Sequence, residues 1–139
     1  MIPDSVAQYL SDNRDRHLEL LKEYLRFPSV ANVDGGDEDP CKLCAQWLAD
    51  YLERLGMTAE VMPTPNKPNV LASLHVSDDA PTLLIYGHYD VQPPDPLELW
   101  ESDPFEAEIR DGYIFARGAN DDKGQLFTHL AAIEAWTRC

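Results

Sequence analysis

The 139-residue sequence predicts an α/β fold, and three observations carry that reading. Apolar residues recur at helical spacing as far as Leu55. Short apolar runs separated by Pro and Gly follow from Thr58 to Ala116. An amphipathic helical pattern returns at Gly124. The order helices, strands, hairpin, helix belongs to the α/β class.

Pro3 and Asp4 open the first helix, proline suiting the first turn and an acid the positive end of the helix dipole. Val6, Tyr9, Leu10, Leu18, Leu21 and Leu25 continue the pattern to Phe27-Pro28, where proline disfavours helix in the preceding residue. Residues 29–39 form a polar loop containing Gly35-Gly36. A second helix is predicted over 40–55, with Leu43, Trp47, Tyr51 and Leu55 on one face and Gly56 as its C-terminal cap. Strands are predicted at 58–62, 70–76 and 82–90. Leu83-Leu84-Ile85-Tyr86 is apolar without alternation, as in a strand buried on both faces. Residues 105–110 and 113–116 flank Asp111-Gly112, a two-residue hairpin signal. The last helix starts near Gly124, is expected to bury Leu126, Phe127, Leu130 and Ile133, and reaches Arg138-Cys139 without a capping signal, as a chain cut inside a helix would.

Net charge is −14, from 25 Asp+Glu against 11 Lys+Arg, which argues against nucleic acid and anionic membranes as partners. The excess acid is either a solvated surface or, in part, a set of cation ligands. The first residues lack the basic start and apolar run of a signal peptide, and no apolar stretch is long enough to span a bilayer. Three cysteines, an odd number, fit reduced thiols, so a cytoplasmic location is expected.

Two clusters carry candidate chemistry. In Gly87-His88-Tyr89-Asp90, alternation along a strand sends His88 and Asp90 the same way, toward the crevice at the strand's carboxyl end. Imidazole is a preferred zinc ligand, and a carboxylate behind it fixes the tautomer. A lone His that hydrogen-bonds a strand end is the plainer reading of this triplet. In Arg117-Gly118-Ala119-Asn120-Asp121-Asp122-Lys123-Gly124, two adjacent carboxylates before a helix either hold a divalent cation or cap the helix. Contiguous acids do not suit an EF-hand, and they would repel a phosphate. Together, His88, Asp90 and Asp121 suit zinc or manganese acting on a polar substrate, if both loops share one edge of the sheet.

The run Gly87-His88-Tyr89-Asp90-Val91-Gln92-Pro93, then Trp100, Asp103-Pro104-Phe105, Arg110-Asp111-Gly112 and the 117–124 segment, resembles M20 metallopeptidases. The Asp-Val-Gln-Pro form resembles their dipeptidase/carnosinase-like branch. The resemblance implies a partial three-layer α/β/α catalytic domain, with a mixed sheet flanked by helices. It makes residues 1–139 the N-terminal part of that domain, the remainder and a lid/dimerisation domain being absent. It implies His88 and Asp121 as metal ligands, Asp121 bridging two Zn2+ ions (Mn2+ or Co2+ as substitutes), and Asp90 as the catalytic-site carboxylate that orients His88. It also implies a cis peptide between Asp121 and Asp122. The family's Glu-Glu pair, further acid and distant His have no counterpart before Cys139.

The expected activity is therefore hydrolysis of dipeptides or short peptides by a water activated on two metals, in a complete homodimeric protein, with this chain alone inactive. The alternatives are a non-catalytic metal-binding or interaction module, and an N-acyl amino acid deacylase or carboxypeptidase of the same family. Cys41 and Cys44 read as buried structural thiols, His17 and His129 as surface or hydrogen-bonded, and His75 as structural in a strand without a carboxylate partner. Trp100 and Phe105 are expected to pack the hairpin on the sheet, and Lys123 to neutralise the acidic pair.

Overall fold

The computed structural model describes residues 2–33 and 35–139. Helices α1 (Asp4–Asp12), α2 (Arg14–Leu25), α3 (Pro40–Arg54) and α4 (Lys123–Arg138) accompany two antiparallel pairs, β1 (Thr58–Met62) with β2 (Asn69–Ser73) and β3 (Glu108–Arg110) with β4 (Tyr113–Phe115). The class is α/β, as expected. Among the described residues no helix is long and apolar enough to cross a membrane.

The single N-terminal helix expected from the sequence is broken at Asn13, whose backbone leaves helical geometry (φ −102°, ψ 10°). Its side-chain amide donates to the Tyr9 carbonyl at 2.9 Å, alongside its own backbone N–H at 3.0 Å. Such local side-chain bonds are what make Asn a helix terminator. The Asp39 side chain caps α3 by accepting from the Cys41 N–H at 2.8 Å, with Pro40 in the first turn. The buried face of α3 is offset from the expected one. Cys41, Cys44, Leu48 and Leu52 join Tyr51 inside, whereas Leu43 is half exposed. Both thiols are indeed buried.

The core is an aromatic stack. Trp47 of α3 lies between Tyr24 of α2 (5.1 Å between centroids) and Tyr51 (5.5 Å), and Tyr51 in turn stacks on Phe127 of α4 at 6.0 Å. Each contact of this kind adds about 0.5–1.5 kcal/mol beyond area burial, so the stack fastens three helices together. The inner face of β1–β2 covers α3, with Val61 opposite Val70 and Ala59 opposite Ala72 against the Leu52 region. In the hairpin, Asp111 (φ 50°) and Gly112 (φ 82°) both take the left-handed backbone that a type I′ turn requires.

The expected central strand at 82–90 belongs to neither sheet. Leu83, Leu84 and Tyr86 are more than 80% exposed, at 81%, 86% and 85%. A strand buried on both faces needs hydrogen-bonding neighbours and covering layers, and no described segment pairs with this one. Pairing begins only at its end, where Val91 bridges Val30 in parallel. An open cleft of about 1450 Å³ lies between β2, residues 83–90 and α4.

Candidate metal centre

Two loops build the site, and each is fixed from below. On the first, alternation sends Tyr89 (9% exposed) and Val91 (3%) inward and leaves His88 and Asp90 partly open. Ser29 Oγ donates to the Tyr89 carbonyl at 2.7 Å, the Val91 N–H donates to Ser29 O at 2.9 Å, and the Tyr89 hydroxyl donates to Pro68 O. These bonds hold the 88–91 turn without using the side chains of His88 or Asp90.

The second loop needs two glycines. Gly118 has φ +85°, and a Cβ there would meet Val91 Cγ1 at 2.8 Å. A Cβ on Gly124 would stand 2.0 Å from the Ala119 carbonyl oxygen. The Asp121–Asp122 peptide is cis, as the resemblance implied. Lys123 follows, fully buried, and its Nζ donates to Phe27 O at 2.8 Å and Tyr24 O at 3.1 Å, at the C-terminal end of α2. Carbonyls at a helix C-terminus carry partial negative charge and accept from a cation. Lys123 therefore does not neutralise the acidic pair as expected. It ties the start of α4 to the end of α2.

The two loops meet at His88. Its Nε2 lies 3.0 Å from Asp121 Oδ1, and its Nδ1 lies 3.0 Å from the Asp90 carbonyl and 3.2 Å from Asp90 Oδ1. The His88 backbone N–H donates to Asp122 Oδ2 at 3.1 Å. Partial burial works against the imidazolium. The Asp90 carbonyl, the Asp121 carboxylate and the nearby Asp90 and Asp122 charges outweigh it, so the His88 pKa lies above the ordinary imidazole value. His88 and Asp90 border the open cleft, while the Asp121 side chain is 78% exposed.

An imidazole nitrogen and a carboxylate oxygen at this spacing suit one divalent cation. Two donors each about 2.0–2.2 Å from a zinc ion stand roughly 3–3.5 Å apart, and Asp90 already occupies the other ring nitrogen. The donor set is incomplete. Among the described residues no group of three or more His, Cys, Asp or Glu is placed to hold a metal ion.

Other candidates lie elsewhere. His17 is buried against Glu134, and His129 is exposed. His75 is corrected: it falls after β2, is largely exposed and does have a carboxylate partner, Asp78 at 3.2 Å. Trp100 packs under the Arg117 guanidinium (5.6 Å to the ring centroid) and donates to Pro94 O, instead of packing the hairpin on a sheet. The bonds made by Asp122 and Lys123 escaped the sequence reading. A lysine in the first turn of a helix, where the dipole disfavours a cation, was the one available signal for the second.

Residues 84–139 match the model of peptidase family M20/M25/M40. The chain is 36% identical over 117 residues to the succinyl-diaminopimelate desuccinylase of Bordetella avium (strain 197N), covering 84% of this chain and 29% of that protein. It is 34% identical over 125 residues to the cysteinylglycine-S-conjugate dipeptidase of Corynebacterium striatum, covering 89% of this chain and 27% of that protein. The crystal structure of human carnosine dipeptidase 1 superposes with a TM-score of 0.87 at 29% identity, over 96% of this chain and 30% of that chain. The chain thus spans under a third of the length of the curated relatives it matches, 29% and 27% in these two.

Proposed function

We propose that this chain, whose residues 84–139 match the M20/M25/M40 peptidase family model, is the front part of a zinc-dependent dipeptidase and carries the first ligands of the metal centre. His88 and Asp121 would hold the metal, and Asp90 would orient the imidazole and keep its second nitrogen occupied. When bound, such ions lower the pKa of a water and polarise the scissile carbonyl. The residues of this chain do the rest of what it can do. Asp90 holds the Nδ1 proton, which leaves Nε2 for the metal. The exposed Asp121 side chain keeps the ligand pair open to a polar substrate.

The observation that carries this reading is the 3.0 Å approach of His88 Nε2 to Asp121 Oδ1, from loops 33 residues apart in sequence. With two ligands and no glutamate base, the 139-residue chain is expected to bind zinc weakly and to turn over no peptide. The desuccinylase likeness favours a second reading, an N-acyl amino acid hydrolase. Both are tested by assaying, with added zinc, unblocked dipeptides against N-succinyl and N-acetyl amino acids. The assay uses this chain and a protein extended to the length of its relatives. Dipeptide turnover by the extended protein, lost in His88→Ala and Asp121→Ala, is the result expected. Turnover that survives either substitution refutes the metal reading, and preference for the acylated substrates selects the second reading.

A further inference from the structure

Asp122 occupies the position before α4 where an aspartate ordinarily accepts from the first free N–H groups of the helix, and it makes no such bond. Its Oδ2 instead accepts the backbone N–H of His88 at 3.1 Å, across 34 residues of sequence. The neighbouring position is shaped to permit this. A Cβ at Gly87 would stand 3.0 Å from Asp122 Oδ2 and 3.0 Å from Leu126 Cδ1, so any larger residue there would push these two side chains back by a few tenths of an ångström. Leu126 is held in turn by its N–H bond to Asp122 O at 2.9 Å. Behind the pair, the buried Lys123 fixes the same turn to α2.

We infer that Asp122 is a positioning residue: its carboxylate clips the backbone of His88 to the start of α4 and thereby sets the distance between His88 and Asp121, the adjacent residue. The bond holds the main chain that aims the ring, and a part-buried N–H left without its acceptor is costly. The inference rests on His88 and Asp121 sharing a metal ion. It assigns Asp122 no contact with the metal or the substrate.

The test compares zinc affinity and the His88 amide NMR signal in this chain for wild type, Asp122→Asn, Asp122→Ala, Gly87→Ala and His88→Ala. Asparagine keeps an acceptor oxygen of the same reach, and alanine removes it. Loss of a partner that orients a metal ligand costs roughly 10–100-fold in affinity, expected for Asp122→Ala, with Asp122→Asn within about threefold of wild type. The His88 amide should shift and exchange with solvent about tenfold faster in Asp122→Ala but not in Asp122→Asn. Gly87→Ala displaces the carboxylate without removing it and should follow Asp122→Ala in both readouts. It supplies the test should Asp122→Ala fail to fold. If His88→Ala weakens zinc binding while Asp122→Ala and Gly87→Ala do not, the inference is overturned and the metal reading stands. If His88→Ala leaves zinc affinity unchanged, the metal reading itself is overturned, and the inference with it. Equal losses in Asp122→Asn and Asp122→Ala would overturn the hydrogen-bond mechanism.

Discussion

Replacing Glu134 with alanine removes the acceptor that binds α4 to the other helices. Its carboxylate, 7% exposed, accepts from Arg16 at 2.8 Å, from His17 Nε2 at 2.8 Å, and from the hydroxyls of Tyr9 and Tyr51, each at 3.2 Å. These donors come from α1, α2 and α3, so one side chain joins all four helices. Breaking a buried ion pair by deleting one partner costs about 3–5 kcal/mol. Arg16 is 43% exposed and rehydrates, which lowers the figure, whereas His17 at 10% does not. Tyr51 is also buried, and each donor stranded away from water adds about 1–3 kcal/mol. Glu134→Ala is therefore expected to lose about 3–4 kcal/mol, a large share of the roughly 5–15 kcal/mol of a typical domain. Glu134→Gln keeps one acceptor but turns an N–H toward a donor, and should lose about 1–3 kcal/mol. Equilibrium urea unfolding reads both. With a slope of about 1–3 kcal/mol/M, the alanine midpoint should fall by at least about 1 M. An alanine midpoint unchanged from wild type would refute the helix-joining role.

Acid should unfold the chain through the same groups. Burial works against the charged forms of Glu134 and Asp39, but the bonds from His17 and Arg16 to the first, and from Lys67 and the Cys41 N–H to the second, hold both below the usual carboxylate range. Both bind protons more tightly when unfolded, so their stabilisation is complete above about pH 4–5 and is lost as pH falls through the folded values. Urea midpoints from pH 7 to 3 should drop, less steeply in Glu134→Gln, and identical slopes would contradict this. Burial pushes the Cys41 and Cys44 thiols up to about 11, while Cys139 is exposed. Iodoacetamide should thus label one of the 3 cysteines in the native chain and all of them in urea, as mass spectrometry will show. Gly112→Val forces a branched side chain to φ 82° and should cost about 1–2 kcal/mol in the same unfolding assay; no loss would argue against the I′ turn.

What the sequence made legible is what depends on local rules. Asp111-Gly112 dictates its turn, Pro40 and Gly56 bound a helix, and alternation around Tyr89 separates buried from open side chains. His88, Asp90 and Asp121 could be named from residue types and spacing, and the structure places them together. Features that depend on partners were not legible. Leu83-Leu84 reads as a buried strand, yet burial needs neighbours that no local pattern guarantees. The break at Asn13 turns on one side-chain bond competing with a helical one. Asp122 looked like a helix cap because caps are local, and its true acceptor role reaches to a residue far back in the chain.

The most direct measurement is zinc X-ray absorption on the metal-loaded chain and on its His88→Ala variant. An imidazole with oxygen donors at about 2.0–2.2 Å, no sulfur near 2.3 Å, and loss of the imidazole signal in His88→Ala is the result expected. A sulfur shell, or an imidazole signal that survives His88→Ala, would contradict the pairing of His88 with Asp121 around one ion.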